Sequence, residues 1–137
     1  MDHLLRIEHI GIAVKDLSAA EEIYAKLLGA PSYKRESVES EGVITSFFRC
    51  GPNKIELLES TRPDGPIARA IEKRGEGIHH IAFEVGDIRA EMARLKAEGF
   101  ALLSEQPKRG ADNKLVCFIH PKSANGVLVE LCQEIVP

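Results

Sequence analysis

An internal repeat constrains this chain more than any other feature of its sequence. The segment HIGIAVKD at positions 9–16 aligns with HIAFEVGD at positions 80–87, and four identities recur at one spacing. The matching pairs are His9 and His80, Ile10 and Ile81, Val14 and Val85, and Asp16 and Asp87. Both segments are rich in Ile and Val, as β-strands are. The repeat therefore predicts a fold made of two related halves.

A helix pattern follows each repeated strand. In the first half, Asp16 or Ser18 can cap the helix, Ser18 and Glu21 have the spacing of a capping box, and Gly29 ends it. In the second half, Asp87 caps the helix and Gly99 ends it. The predicted apolar faces are Ala20, Ile23, Tyr24 and Leu27 in the first helix, and Ile88, Met92 and Leu95 in the second.

Further strands complete each half. The segments VITSFFRC and NKIELLES in the first half, and LVCFIH and GVLVELCQ in the second, have strand composition with turn residues between them. Each half is therefore predicted to run strand–helix–strand–strand–strand, within one compact domain. The predicted boundaries are 1–60 for the first module, 61–76 for a bridge with a short helix at Pro66, and 77–137 for the second module.

Composition excludes several classes of protein. With 137 residues, 44% of them hydrophobic, the chain is an ordinary globular domain. A net charge of −3 gives no general attraction to nucleic acid or to an anionic membrane, and no apolar run has the length of a membrane span. The start lacks a signal-peptide pattern. Cys50, Cys117 and Cys132 lack metal-site spacing and are interpreted as reduced packing residues, which favours a cytoplasmic location.

Four residues of metal-ligating type occupy equivalent places in the two halves. Each half begins its first strand with a histidine, His9 or His80, and has a glutamate within its last strand, Glu56 or Glu130. A single strand histidine is usually structural, and a single strand glutamate usually faces solvent. Two repeated pairs flanked by apolar residues instead predict a divalent-metal site. Of the other histidines, His79 is interpreted as structural, His3 as part of a disordered terminus and of no consequence, and His120 as holding a turn or touching substrate.

The segments IEHIGIAVKDL, GEGIHHIAFEV and HPKSANGVLVELC resemble the vicinal oxygen chelate superfamily, and the run ELLESTRPDGPIARAIEKRGEGIHHIAFEV resembles its methylmalonyl-CoA epimerase family. The resemblance covers essentially the whole chain. It implies an α+β fold in which two tandem βαβββ modules form a cupped, barrel-like mixed sheet around one metal ion. It also implies a homodimer and Co²⁺ as the preferred ion, with Zn²⁺, Mn²⁺ or Ni²⁺ accepted.

The resemblance implies a metal-dependent epimerase that interconverts (2R)- and (2S)-methylmalonyl-CoA through a metal-chelated enolate. Such a reaction needs one base on each face of the α-carbon. Some relatives place a catalytic glutamate where this chain has Thr45, and glutamine where it has Glu56. We therefore predict that Glu56 and Glu130 act both as ligands and as bases, with Glu39 and Glu41 as fallback candidates.

Other functions use the same ligands. A glyoxalase I-type lactoylglutathione lyase has the same fold and enediolate chemistry, and a non-catalytic metal or small-molecule binding module could share the fold. An extradiol dioxygenase is disfavoured, because its iron has two histidines and one carboxylate as ligands. Lys114, Lys122 and the basic bridge are candidate phosphate partners of CoA, or simply solvated charges.

Overall fold

The structure, a computed structural model, describes residues 3–136. Within them, the strands are β1 (Leu4–Ala13), β2 (Lys34–Val38), β3 (Val43–Cys50), β4 (Asn53–Ser60), β5 (Gly77–Val85), β6 (Lys108–Arg109), β7 (Lys114–Ile119) and β8 (Val129–Glu134). The helices are α1 (Leu17–Leu28), α2 (Pro66–Arg74) and α3 (Ile88–Ala97), with 3₁₀ turns at Glu39–Glu41 and Pro121–Ala124.

The order βαβββ occurs twice along the chain, so the predicted fold class is confirmed. The predicted strands at 43–50 and 53–60 match β3 and β4 residue for residue, and the repeated segment at 80–87 overlaps β5. The bridge helix α2 begins at Pro66, where the fixed φ of proline suits the first helical position. Chain contacts define two compact units, residues 9–79 and residues 3–8 with 80–136. The module boundaries at 60 and 77 stay a prediction about the repeat.

In the unit of residues 9–79, the strands lie in the order β2-β3-β4-β1, with β1 parallel to β4 and the other pairs antiparallel. Asp16 accepts a hydrogen bond from the Ala19 N–H at 3.1 Å and so caps α1. Gly29 ends α1 in the left-handed conformation, with φ of 77°. The Glu59 carboxylate accepts a bond from the Leu17 N–H at 2.7 Å, which ties the start of α1 to the end of β4.

The predicted apolar face of α1 is wrong at two positions. Ile23 and Leu27 are 62% and 69% exposed, whereas Leu17 and Ala20 are buried. The inward stripe runs through Leu17, Ala20, Tyr24 and Leu28 against Phe48 and Leu57, because residues three and four apart share a helix face. Ser18 is not the cap; its hydroxyl instead accepts a bond from Arg35.

In the unit of residues 3–8 and 80–136, the order is β5-β8-β7-β6, with β5 parallel to β8 and the other pairs antiparallel. Helix α3 packs Ile88, Met92 and Leu95 into a core with Cys117 and Leu131. Asp87 caps α3 through the Ala90 N–H at 3.1 Å. The Gln133 side chain accepts a hydrogen bond from the Ile88 N–H at 2.7 Å. It therefore ties the start of α3 to β8, as Glu59 ties the start of α1 to β4 in the other unit.

Among the residues that the structure describes, no helix is both long and apolar enough to cross a membrane.

Candidate active site

The first histidine–glutamate pair lies on neighbouring parallel strands. Gly11 of β1 is the cross-strand neighbour of Glu56 on β4, and His9 precedes Gly11 by two residues, so both side chains lie on one sheet face. The His9 Nδ1 atom is 3.1 Å from Glu56 Oε2. Each residue is 5% exposed. The predicted pair of the first half is therefore in contact and buried.

The second pair is built in the same way. Ala82 of β5 is the cross-strand neighbour of Glu130 on β8, and His80 precedes Ala82 by two residues. The His80 Nε2 atom is 3.0 Å from Glu130 Oε1. The two residues are 5% and 6% exposed. The alignment of His9 with His80 and of Glu56 with Glu130 thus corresponds to the same strand register in each unit.

An aromatic residue extends the repeat and was missed in the sequence. Phe47 of β3 is the cross-strand neighbour of Glu56, and Phe118 of β7 is that of Glu130. The Phe118 ring meets His80 edge to face, with centroids 5.7 Å apart. Phe47 and Phe118 are separated in sequence by the same interval as His9 and His80, a signal that could have identified them. Each carboxylate therefore has a ring beside it that restricts its position and excludes water.

The geometry of each pair fits a metal-binding group. Atoms bound to one ion at about 2.0–2.2 Å and at right angles to each other are about 3.0 Å apart. The nitrogen-to-oxygen distances are 3.1 Å for His9–Glu56 and 3.0 Å for His80–Glu130. Imidazole nitrogen and carboxylate oxygen are both ligands of divalent transition metals. Each pair can therefore supply two adjacent ligands to an ion.

Position 45, which lacks the catalytic glutamate of some relatives, and the fallback candidates Glu39 and Glu41 lie in different parts of the structure. Thr45, on β3, is 1% exposed. Glu39 and Glu41 lie in the 3₁₀ turn before that strand. Glu36 of β2, which sequence reasoning missed, is the cross-strand neighbour of Thr45 and so shares its sheet face. The structure thus places a carboxylate beside Thr45 on β2, a strand whose position the sequence analysis did not assign.

The remaining histidines have structural contacts. His120 Nδ1 accepts a hydrogen bond from the Lys122 N–H at 3.0 Å and holds the turn that follows β7, which is one of its two predicted roles. His3 Nδ1 lies 3.2 Å from Glu91 Oε2, so the expectation that it has no structural consequence is wrong. His79 is half-buried beside His80.

A buried charged group in the middle of β1 was not foreseen. Glu8 is 1% exposed, and its Oε2 atom lies 3.9 Å from Lys114 Nζ and 3.9 Å from an Arg6 nitrogen. Lys114 is itself only 8% exposed. A buried carboxylate needs such cations nearby. Lys114 is therefore neither a solvated charge nor an accessible phosphate partner, whereas Lys122 is exposed.

The cysteines divide into two kinds. Cys117 and Cys132 are buried, as predicted, whereas Cys50 is exposed, contrary to its assignment as a packing residue. Burial raises the pKa of the Cys117 thiol, which keeps it protonated and a poor nucleophile. Neither buried thiol has the setting of a catalytic nucleophile, so the chemistry of the site rests on imidazole and carboxylate groups.

Comparison with known proteins shows the family to which this chain belongs. Residues 8–118 match the model of the Glyoxalase/Bleomycin resistance protein/Dioxygenase superfamily, and the chain belongs to that superfamily. It is 45% identical to the ethylmalonyl-CoA/methylmalonyl-CoA epimerase of Cereibacter sphaeroides, over 93% of this chain and 97% of that one. It is 42% identical to the mitochondrial methylmalonyl-CoA epimerase of Homo sapiens, over 96% of this chain and 75% of that one.

A solved structure extends the similarity to the whole fold. It is a variant of the Streptomyces coelicolor methylmalonyl-CoA epimerase in complex with 2-nitronate-propionyl-CoA. That protein is 37% identical to this chain, with a TM-score of 0.93, and the match covers 97% of this chain and 99% of that one.

Proposed function

We propose that this chain is a methylmalonyl-CoA epimerase, which interconverts the (2R) and (2S) thioesters by transferring the α-proton. The observation that carries this proposal is the repeated buried pair, His9 with Glu56 and His80 with Glu130, in a chain 45% identical to an epimerase over nearly its full length. Lactoylglutathione lyase activity is the control reaction, because the same ligand types serve both chemistries.

The four residues His9, Glu56, His80 and Glu130 are proposed to bind one divalent ion. Support comes from their residue types, their burial, the equal register of the two pairs and the ligand-like distances within each pair. Co²⁺ is the proposed ion on the basis of the family resemblance, with Zn²⁺, Mn²⁺ and Ni²⁺ as substitutes. When bound, the ion supplies Lewis-acid stabilisation of the charge that develops on the thioester and carboxylate oxygens.

Glu56 and Glu130 are the proposed bases. The α-proton of a methylmalonyl thioester is acidic because two carbonyl groups adjoin the α-carbon. One glutamate, which loosens from the ion when substrate chelates, removes this proton and becomes a carboxylic acid. The other, also loosened and protonated at this stage, donates its proton to the opposite face and becomes a carboxylate. The configuration at the α-carbon is thereby inverted, and one proton is taken up for each proton released. His9 and His80 hold the two carboxylates in place through contacts of 3.1 and 3.0 Å.

The test is turnover of (2S)-methylmalonyl-CoA in D₂O by the metal-loaded protein. We expect the (2R) epimer to appear with deuterium at the α-carbon, a chelator to stop the reaction, and added Co²⁺ to restore it. Methylglyoxal with glutathione should be converted far more slowly. Failure of the metal-loaded protein to invert methylmalonyl-CoA, or faster conversion of the glutathione adduct, would contradict the proposal.

A homodimer and a cytoplasmic location are also proposed. Two apolar side chains one turn apart on α1, Ile23 and Leu27, are 62% and 69% exposed, which gives a second copy apolar surface to cover. Light scattering on the purified protein tests the dimer, and cell fractionation tests the location. A monomer at micromolar concentration would contradict the first of these.

A further inference from the structure

A cavity lies beside helix α3, in the unit of residues 3–8 and 80–136. Its volume is about 550 Å³, and it lies between α3 and the segment 100–107 that leads to β6. The helix lines it with residues whose spacing places them on one helix face: Arg89, Met92, Ala93 and Lys96. Sites for small molecules have volumes of about 300–1,000 Å³, so the cavity has the size of a ligand site.

This cavity is separate from the candidate active site. On β7 and β8, the residues that pack against α3 include the directly paired Cys117 and Leu131. The next pair along these strands is Phe118 with Glu130. Because successive residues of a strand point to opposite faces, α3 and its cavity lie on the opposite sheet face from the Glu130 side chain.

The wall opposite α3 is anchored to β7 and to the turn after it. The Leu103 N–H donates a hydrogen bond to the Phe118 carbonyl at 2.9 Å, and the His120 N–H donates one to the Ala101 carbonyl at 2.8 Å. These bonds hold the wall away from the helix. The space between the two sides is left open by short side chains, Ala93 on the helix and Ala101 on the wall.

The floor of the cavity is apolar. Met92 is 5% exposed and belongs to the core of this unit, and Phe100 and Leu102 are partly buried against the same core. Burial of an aliphatic chain on such a floor is favourable, at about 25 cal/mol for each Å² removed from water. The flexible thioether of Met92 can adjust to the shape of the chain.

Positive charge is present at both ends of the helical side. Arg89 and Lys96 are exposed, and seven residues of α-helix separate them by about 10 Å along the axis. Within the part of the chain that the structure describes, neither side chain has an ion-pair or hydrogen-bond partner. Glu105 is the one acidic residue among the described residues that line the cavity. The lining therefore has two cations against one carboxylate.

We propose that this cavity binds a medium-chain aliphatic dicarboxylate, whose two carboxylates pair with Arg89 and Lys96 and whose chain lies on Met92 and Phe100. An extended chain of this class spans the distance between the two cations. A chain with one carboxylate would leave one cation unpaired, and a short dicarboxylate could not reach both. The proposal does not depend on the proposed epimerase activity, because binding can be measured without turnover.

The experiment compares three probes by calorimetry on the metal-loaded protein: suberate, octanoate and succinate. Octanoate has the same chain length as suberate with one carboxylate, and succinate has two carboxylates on a short chain. We expect suberate to bind most tightly and each of the others on the order of 10-fold more weakly, because each loses a charge-assisted contact at one end. Octanoate that binds as tightly as suberate would overturn the assignment of the two ends. Absence of suberate binding to the wild type at millimolar concentration would overturn the site.

Variants of the two cations locate the bound dicarboxylate. Arg89→Gln and Lys96→Gln should each weaken suberate binding on the order of 10-fold. Lys122→Gln is the matched control, since it removes an exposed cation of the same unit from outside the lining, and it should leave the affinity unchanged. Unchanged affinity in the Arg89→Gln, Lys96→Gln double variant would place the dicarboxylate elsewhere, such as on the proposed metal ion, and overturn the inference.

A further variant tests the cavity itself. Ala93→Phe fills the space with a ring and should abolish suberate binding, whereas Ala90→Phe, at an exposed position of α3 outside the lining, should keep it. Circular dichroism shows whether both variants are folded, and the cation variants decide the question if Ala93→Phe is not. Suberate binding that persists in folded Ala93→Phe would contradict the cavity as the site.

Discussion

At the scale of the residue, position 45 carries no glutamate, so the proposed reaction needs another residue as its second base. Thr45 is buried and cannot act as a base near neutral pH, so the proposed mechanism makes Glu56 both a metal ligand and a base. A carboxylate that binds a metal is a poorer base than a free one, unless it loosens when substrate chelates. The side chain of Glu56 is held between His9 on one strand and Phe47 on the other, which limits the positions it can take.

Replacement of Glu56 by glutamine separates its two tasks. Glu56→Gln keeps a ligand oxygen, so most of the metal should remain, but one proton-transfer group is lost. Epimerisation should fall by about 10²–10⁴-fold, whereas exchange of the α-proton with D₂O should persist for the epimer whose proton faces Glu130. Deuterium incorporation and chiral analysis on the same samples measure both quantities. Wild-type epimerisation by this variant would leave Glu56 as a ligand only, and Glu36→Gln, Glu39→Gln and Glu41→Gln would then locate the base.

The histidines are predicted to act through the metal. His9→Ala and His80→Ala should each lower the metal content and the activity together, because each removes one ligand of the proposed ion. Changes even in the groups that support a ligand reduce affinity or activity by about 10–100-fold. His120→Ala is the matched control, since His120 holds an exposed turn and should leave the metal content unchanged. Elemental analysis of the purified variants measures this, and full occupancy in the His9→Ala, His80→Ala double variant would refute the four-ligand proposal.

At the scale of the element, α1 is held to its sheet by a charged group rather than by its outer apolar residues. Glu21 accepts hydrogen bonds from Arg35 Nε at 2.9 Å and from the Ser46 hydroxyl at 2.6 Å. The hydrogen bond from Arg35 lowers the pKa of Glu21, with a smaller contribution from Ser46 and some opposition from burial. Ser46 is fully buried, and its hydroxyl also lies 2.7 Å from that of Ser32, so Glu21 is the charged one of its two partners.

The lowered pKa of Glu21 gives its stabilisation a pH dependence. The unfolded chain binds the proton more tightly than the folded protein, so the contribution is complete above the ordinary value of 4.5 and disappears as pH falls through the folded value. Glu21→Gln should therefore reduce the free energy of unfolding by about 1–3 kcal/mol at pH 7, and by progressively less below pH 4.5. Urea unfolding at several pH values measures the difference. Glu22→Gln, an exposed neighbour on α1, should show neither effect, and a pH-independent loss for Glu21→Gln would contradict the assignment.

The elements also show what sequence patterns can and cannot specify. Helix ends are specified by residues next to them in sequence, so they could be predicted. The ends indicated by Asp16, Gly29, Asp87 and Pro66 are near those observed. The exposed side of α1 was mispredicted because Ile23 and Leu27 satisfy a helical period as well as Leu17 and Leu28 do, and only the packed sheet selects between the two faces. Strand β2 was expected from the βαβββ order but could not be located, because its sequence, KRESV, has the charge typical of a loop.

At the scale of the whole molecule, the repeat indicated the proposed ligands, and the strand register brings one histidine and one glutamate into contact in each unit. The positions of His9, Glu56, His80 and Glu130 follow from alignment of the chain with itself. Phe47 and Phe118 are the cross-strand neighbours of the two glutamates. Identifying them requires knowing which residues lie opposite each other on two strands. Alternation along a strand determines the face of a residue but not its partner on the next strand, so the position of Glu36 opposite Thr45 required the three-dimensional register.

Metal binding should stabilise the folded molecule as a whole. Ligands that bind only the folded state raise its stability, by about 2.7 kcal/mol when their free concentration is 100 times the dissociation constant. The melting temperature should therefore fall on treatment with a chelator and recover when Co²⁺ is added. The His9→Ala, His80→Ala double variant should melt at the same temperature with and without the ion. Scanning calorimetry measures these shifts, and an equal response of wild type and double variant would place the ion elsewhere.

The difference in exposure among the cysteines allows the protein to be labelled at a single site. Cys117 and Cys132 are enclosed, whereas Cys50 is exposed beside Arg49 at the end of β3. A maleimide or a nitroxide reagent will therefore attach to one chosen thiol without any mutagenesis. If Mn²⁺ occupies the proposed site, the relaxation of a spin label on Cys50 would measure the distance between Cys50 and the ion.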